Sequence, residues 1–506
     1  MKKILFFLIT PLFVYAQDFV INHWDQKQYI SFLQYDDLEF IENDTVVKSI
    51  LKYSSFSGKG QYLNLHHKQS LNAFFGVFMT TKKLSQEGVF NQSEAKMYDV
   101  DWGINFNNKS STYEFTSVFN YKKVEKQESG GVVSYETDLY NDPFLYPVHL
   151  IAAQSYWKHR KLKLNHSYDI NQNWKLLHAW ERNKSYKLYN DKELNFNFYN
   201  HILIDSTQTN DSVYQDYSKH YFGLKYNSFS IKYIALLEKY GTSHVDTNRS
   251  FNGAQFLFNI KEFHFQFDYF QDKQHYFYLT YEGSSFEASL ESKNISSSLY
   301  QEAYHSNHFS WNHDWNNIQQ QKLKANYNYK GYELFLNVDR LHNYLYLDES
   351  ISWQQANETI YQLKTTVTKK WNWKSLNAYH LLCYNLSSNE VILRAPSYHF
   401  KSDIYIKSSL FNEAMMAKFG VSVDYFKKYY ALAYSPVLAE MYLQNNQLIG
   451  NYPLATVFLE TKIQSANIRL QLRNVSDLFI DDAYYILPGY PYTPMAIEVG
   501  VKWELQ

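Results

Sequence analysis

Residues 497–505 alternate without a break. Ile497, Val499, Val501, Trp503 and Leu505 are apolar, and Glu498, Gly500, Lys502 and Glu504 stand between them. Successive side chains of a strand point to opposite faces, so this segment has one apolar side and one charged side. The same period recurs upstream. In YEFTSVFNYK, Tyr113, Phe115, Ser117, Phe119 and Tyr121 oppose Glu114, Thr116, Val118, Asn120 and Lys122. In FHFQFDY, Phe263, Phe265, Phe267 and Tyr269 oppose His264, Gln266 and Asp268. KLKANYNY (322–329) and NIRLQLR (467–473) repeat it. Period-two alternation over stretches of this length argues strand over helix.

The apolar face could meet a protein core or lipid. The first residues, MKKILFFLITPLFVYAQ, favour export: basic Lys2 and Lys3, an apolar run from Ile4 to Phe13, and Val14-Tyr15-Ala16 as a small-x-small cleavage site. A signal peptide over residues 1–16, cleaved after Ala16, is therefore expected. The mean hydropathy of the whole chain, -0.49, is that of a soluble protein, yet 19% of its residues are aromatic. A transmembrane barrel reconciles the two, because it displays aromatics outward in girdles at both membrane interfaces. Scarce proline and glycine suit long strands.

The connections carry a second rhythm. Short polar turns at 108–109, 171–173, 227–228, 283–284 and 464–466 alternate with long segments at 124–150, 190–216, 293–312 and 475–495. Short periplasmic turns and long extracellular loops are the arrangement of an outer-membrane barrel. A first strand over about 46–56, ten hairpins and a closing strand predict an all-β, antiparallel up-and-down barrel of 22 strands, with 16 to 20 as the lower alternatives. Residues 17–44 read as a periplasmic or lumenal lead-in, and 45–506 as the barrel.

Net charge is -1, and -3 without Lys2 and Lys3, so there is no basic footprint for nucleic acid. A single cysteine, Cys383, allows no intrachain disulfide. No metal-ligand spacing or phosphate-binding glycine loop stands out, and no cofactor or metal is expected.

Several stretches resemble the putative-porin family of Bacteroidetes outer membranes. They are SILKYSSFSGKGQYLNLHHKQSL (49–71), EGVFNQ (87–92), ESGG (128–131), NEVILRAP (389–396), YYALAYSP (429–436) and MYLQ (441–444). The end of the chain, 452–479 and 484–505, is similar to the closing strands of that family and also to the C-terminus of TonB-dependent receptors. The resemblance implies recognition by the barrel-insertion machinery through Val499, Val501, Trp503 and Leu505. Family members usually finish on an aromatic residue, whereas here Trp503 is followed by Glu504, Leu505 and Gln506, with Leu505 in register for the signal.

A 22-strand barrel is too wide for wall side chains to fill, so it is either an open channel or plugged by folded loops. With no separate plug domain expected, passive diffusion of small hydrophilic solutes is the simplest function. The expected inward, pore-lining residues are Arg469, Arg473, Gln471, Glu460, Lys462, Glu498, Lys502, Lys322, Lys324 and Lys364. Their mixed signs predict no strong ion selectivity. Expected partners are outer-membrane lipid and lipopolysaccharide. Three other readings compete: a barrel enzyme such as a phospholipase, suggested only by residues such as His66-His67; a transporter of hydrophobic compounds such as fatty acids; and a structural or adhesion barrel with a closed lumen.

Overall fold

A computed structural model describes residues 49–133, 142–480 and 483–505. The expected signal peptide, the 17–44 lead-in and residues 46–48 of the first strand lie outside the described residues, as does Gln506.

Twenty-two antiparallel strands form one closed sheet. They begin with β1 (Ser49–Phe56), β2 (Gly60–Asn72), β3 (Phe75–Gln86), β4 (Ala95–Asn107), β5 (Tyr113–Gln127) and β6 (Ala153–Asp169). Next come β7 (Trp174–Asp191), β8 (Thr209–Tyr226), β9 (Phe229–Thr242), β10 (Asp246–Ile260), β11 (Phe263–Phe270) and β12 (His275–Glu282). Then follow β13 (Phe286–Ile295), β14 (Ile318–Tyr329), β15 (Tyr332–His342), β16 (Ile360–Trp373) and β17 (Leu376–Ser387). The circuit ends with β18 (Tyr398–Leu410), β19 (Met415–Phe426), β20 (Leu454–Ile463), β21 (Ala466–Arg473) and β22 (Ala496–Leu505). Each strand pairs with its neighbour in sequence, and β22 closes on β1 from Ser49↔Leu505 to Ser55↔Val499. Closure leaves no edge, so every strand finds backbone partners without water.

The inside-out burial decides the environment. On β22, Ile497 is 69% exposed while Glu498 and Lys502 are 4% and 2% exposed. The apolar face therefore looks outward and the charged face inward. Aromatic side chains collect near the short-turn end: Phe106 and Tyr113, Tyr168, Trp174 and Tyr226, Phe263 and Tyr281. Trp174 packs on Tyr226 at 4.8 Å and Phe263 on Tyr281 at 5.0 Å between ring centres. That is an interfacial girdle.

All ten connections at that end are short, from 73–74 to 464–465. Tight two-residue turns need positive φ, which Asn227 (48°) and Lys330-Gly331 (46° and 77°) supply. At the other end the connections are long, 296–317 and 427–453 among them, and the strands flanking 128–152 and 474–495 are similarly far apart in sequence. Several expected boundaries shift: 124–150 becomes 128–152, and 293–312 becomes 296–317. The turn at 108–109 extends to 112, since Asn108 Oδ1 accepts from the backbone of Thr112 and Tyr113. The long segment expected over 190–216 shrinks to 192–208, because β8 already starts at Thr209. Strands β6, β7 and β8 have 17 or 18 residues, well beyond the 9–11 that span a membrane, so their upper ends stand clear of hydrocarbon.

Among the described residues the one α-helix is Leu299–Glu302, and no helix is long and apolar enough to cross a membrane. The loops fold inward. Residues from 296–317, 343–359, 388–397 and 427–453 bury Leu299, Tyr300, Tyr304, Leu347, Trp353, Leu393 and Leu438 against the upper wall.

Candidate functional site: the charged inner wall and the loop across it

All ten sequence-predicted inward residues lie on the inner face, in two groups. The first is a ladder over β19 to β22. Lys418 Nζ donates to Glu460 at 2.7 Å, and Arg469 Nη1 lies 3.6 Å from the other oxygen of Glu460. Arg469 Nε donates to Gln471 at 3.0 Å, and Gln471 donates to Glu498 at 2.6 Å. Arg473 lies 3.3 Å from Glu498 and donates to the Tyr492 hydroxyl at 2.6 Å. Lys502 sits 3.0 Å from Glu504, and Lys462 faces Asn467 and Met416 in register. The second group is on β14 to β16. Lys322 reaches Asp339 at 3.6 Å, and Lys324 and Lys364 flank Asn337 in register. Inside a barrel, a buried charge is tolerable only when it is paired and hydrogen-bonded, and the alternating signs of the ladder supply this.

The four residues of the expected insertion signal are on β22. Val499, Trp503 and Leu505 are exposed, Val501 is half-buried, and Trp503 Nε1 donates to Ser465 at 3.1 Å. Cys383 is buried on β17. His66 and His67, adjacent in β2, face opposite sides and engage Thr80 and Ser49 respectively. No group of three or more His, Cys, Asp or Glu among the described residues could hold a metal ion.

The most elaborate site was not foreseen. Loop 427–453 leaves β19, turns into the lumen and meets the wall at β5 to β7, nearly half the barrel away. Its inner hairpin pairs Ala433–Ser435 with Glu440–Tyr442. At the tip Lys187 Nζ of β7 donates to the Val437 carbonyl at 2.7 Å. The Tyr434 hydroxyl donates to Glu128 at 3.1 Å, while Lys126 lies 3.1 Å from Glu128 and 4.8 Å over the Tyr434 ring. Leu438, Val437 and Tyr434 each join a different apolar cluster, so the tip ties three parts of the wall together. Further out, Leu443 N donates to Leu347 O at 3.0 Å and Arg394 to Asn445 at 2.7 Å.

Glu440 carries the strongest electrostatic signal of the loop. Burial pushes its carboxyl up to about 8, against the pull of Lys187. The docked hairpin thus holds this group largely protonated at neutral pH. One sequence signal could have revealed the site: residues 431–443, ALAYSPVLAEMYL, are too apolar for a loop bathed in water.

A closed barrel with an apolar exterior, a charged interior and an inturned loop defines an outer-membrane transport barrel. The sequence matches the family described as putative porin over residues 25–506, and the chain belongs to that family. In shape it is similar to the FrpB iron transporter of Neisseria meningitidis (F5-1 variant), with TM-score 0.60, 10% identity, and 91% of this chain and 82% of that one covered. The unliganded ferric citrate transporter FecA gives 0.59 at 9% identity over 91% and 79%. BauA, the ferric preacinetobactin receptor of Acinetobacter baumannii, gives 0.55 at 9% over 90% and 80%. At such identities the likeness is one of fold. No curated protein matches the chain.

Proposed function

We propose that the protein is a passive channel for small hydrophilic solutes, narrowed by loop 427–453. The observation that carries this reading is the inner wall, lined by polar and charged groups of both signs. Such a wall suits hydrated solutes and imposes little ion selectivity. The reaction is translocation alone. β22, with Val499, Val501, Trp503 and Leu505 outward, is the segment the insertion machinery would read.

The purified protein in planar bilayers tests this reading. Ohmic steps that scale with salt support it, and replacing residues 433–442 by a short Gly-Ser linker should raise the step size. A second reading, a structural barrel with a closed lumen, is favoured by the apolar packing of the loops. Absence of conductance in both proteins would sink the channel. Bound lipid or fatty acid by mass spectrometry would then favour hydrophobic transport, and its absence the closed barrel.

A further inference from the structure

The outer surface of β5 to β8 departs from the apolar pattern. Alternation puts Lys123 and Glu125 of β5, Lys158 and Arg160 of β6, Arg182 and Lys184 of β7, and Asp216 of β8 outward. Their neighbours Lys122, Val124, Trp157 and Lys187 are buried inside. On β10 to β22, by contrast, the outward Lys or Arg residues are Arg340 and Lys369, and Lys369 lies at the short-turn end over the Tyr332 ring.

The height of this cluster matters. Arg160 stands eight residues above Tyr168 of the lower girdle and Lys158 ten; Arg182 and Lys184 stand equally far above Trp174. A strand tilted about 40° climbs roughly 2.6 Å per residue, which places these cations about 21–26 Å above the girdle. The apolar band of such barrels is about 25 Å tall, so the cluster meets the outer-leaflet headgroups.

Five cations face two carboxylates on these four strands, and Lys96 of β4 and Lys239 of β9 stand opposite Glu125 and Asp216 in register. Asp216 takes Arg182 through two hydrogen bonds, of 3.0 and 2.7 Å, and Lys184 at 3.3 Å. Glu125 takes Lys123 at 2.8 Å. Lys158 and Arg160 have no carboxylate partner among the described residues and lie 5.9 and 6.0 Å from the Tyr121 ring. The register sets Lys123 opposite Lys158 and Arg160 opposite Lys184. Like charges directly opposite on one face repel, and an anion seated between them removes that cost.

We propose that this face binds the phosphate of an outer-leaflet lipid, a phosphorylated glycolipid of the lipopolysaccharide type, between Lys158, Arg160 and Lys184. Tyr121, Tyr156 and Tyr186 line the same outward surface, where amphipathic rings favour a headgroup boundary. Charge complementarity and height together select this occupant.

Native mass spectrometry of the full protein in detergent tests the site, with lipid A in its bisphosphorylated and dephosphorylated forms. The unaltered protein should retain the bisphosphorylated lipid at least tenfold better than the dephosphorylated one. K158Q/R160Q/K184Q should lose that preference, and the charge-keeping K158R/R160K/K184R should keep it. Inorganic phosphate at millimolar concentration should not displace the lipid. Equal retention of the two lipids by the unaltered protein would overturn the proposal, even if the glutamine variant failed to fold. An unchanged preference in a folded glutamine variant would overturn it too, and displacement by inorganic phosphate would reassign the site to a free anion.

Discussion

Glu440 should make docking of the inner hairpin sensitive to pH. Lys187 of β7 faces it, and Lys187 in turn faces Glu128 beyond the end of β5 and Asp211 of β8. Docked, its carboxyl titrates at about 8; exposed, at its ordinary 4.5. A group whose value is raised on docking favours the docked state fully below 4.5. That advantage is lost as pH climbs to 8, because the undocked form releases its proton first. The slope is about 1.4 kcal/mol per pH unit, so pH 5 to 7 weakens docking by about 3 kcal/mol, roughly a hundredfold in the docked-to-undocked ratio. Protease cleavage within 427–453 of protein in liposomes follows the undocked population when opening is fast relative to cleavage. Relative to a pH-matched unstructured substrate, cleavage should rise steeply from pH 5 to 7 in the native protein and lose that rise in Glu440→Gln. An equal slope in the two proteins, or a flat native profile, would refute the assignment of the switch to this carboxyl.

Other outcomes follow from the same packing. Leu438→Ala, at a site 1% exposed, should cost about 2–5 kcal/mol of loop docking and accelerate cleavage of the loop. The barrel should keep its heat-modifiable migration on gels. Leu459→Arg puts a cation on the lipid face near mid-band, where Leu459 is 40% exposed. It should destabilise the barrel in vesicles by about 2–4 kcal/mol, read from urea unfolding. Removing residues 503–506 deletes the pairings of Trp503, Glu504 and Leu505 with Leu51, Ile50 and Ser49. Assembly into outer membranes should then fall sharply, and normal insertion would count against closure through β22.

How legible each part was in the sequence depends on what lay outside it. Ile497 to Leu505 was readable because lipid imposes one apolar face, so the faces of Glu460, Arg469, Gln471, Arg473, Glu498 and Lys502 followed from alternation alone. The strand number followed as well, since each short turn, such as Asn227-Ser228, marks one hairpin. Alternation faded where lipid ended. The outward residues at the top of β8, Asn210, Ser212, Tyr214 and Asp216, carry no apolar stripe, and the strand there reads as loop. The same fading hid the basic cluster, because a cation at headgroup height looks like any solvated lysine until the register puts Arg160 opposite Lys184.

The inturned loop was hidden for a different reason. Its contacts join residues 250 positions apart at Lys187 and Val437, and 306 apart at Glu128 and Tyr434. A periodic pattern assigns a side chain to a face; it does not say which loop crosses the lumen to meet that face. The wall and the hairpin are nevertheless matched in polarity, for Lys187 and Glu128 meet a carbonyl and a hydroxyl at the tip while Leu438 enters apolar surroundings. That match gives the docked arrangement two supports, apolar burial and hydrogen bonding, to which a protonated Glu440 adds one that titrates. Leu438→Ala should therefore lower docking at every pH, while Glu440→Gln should change its slope.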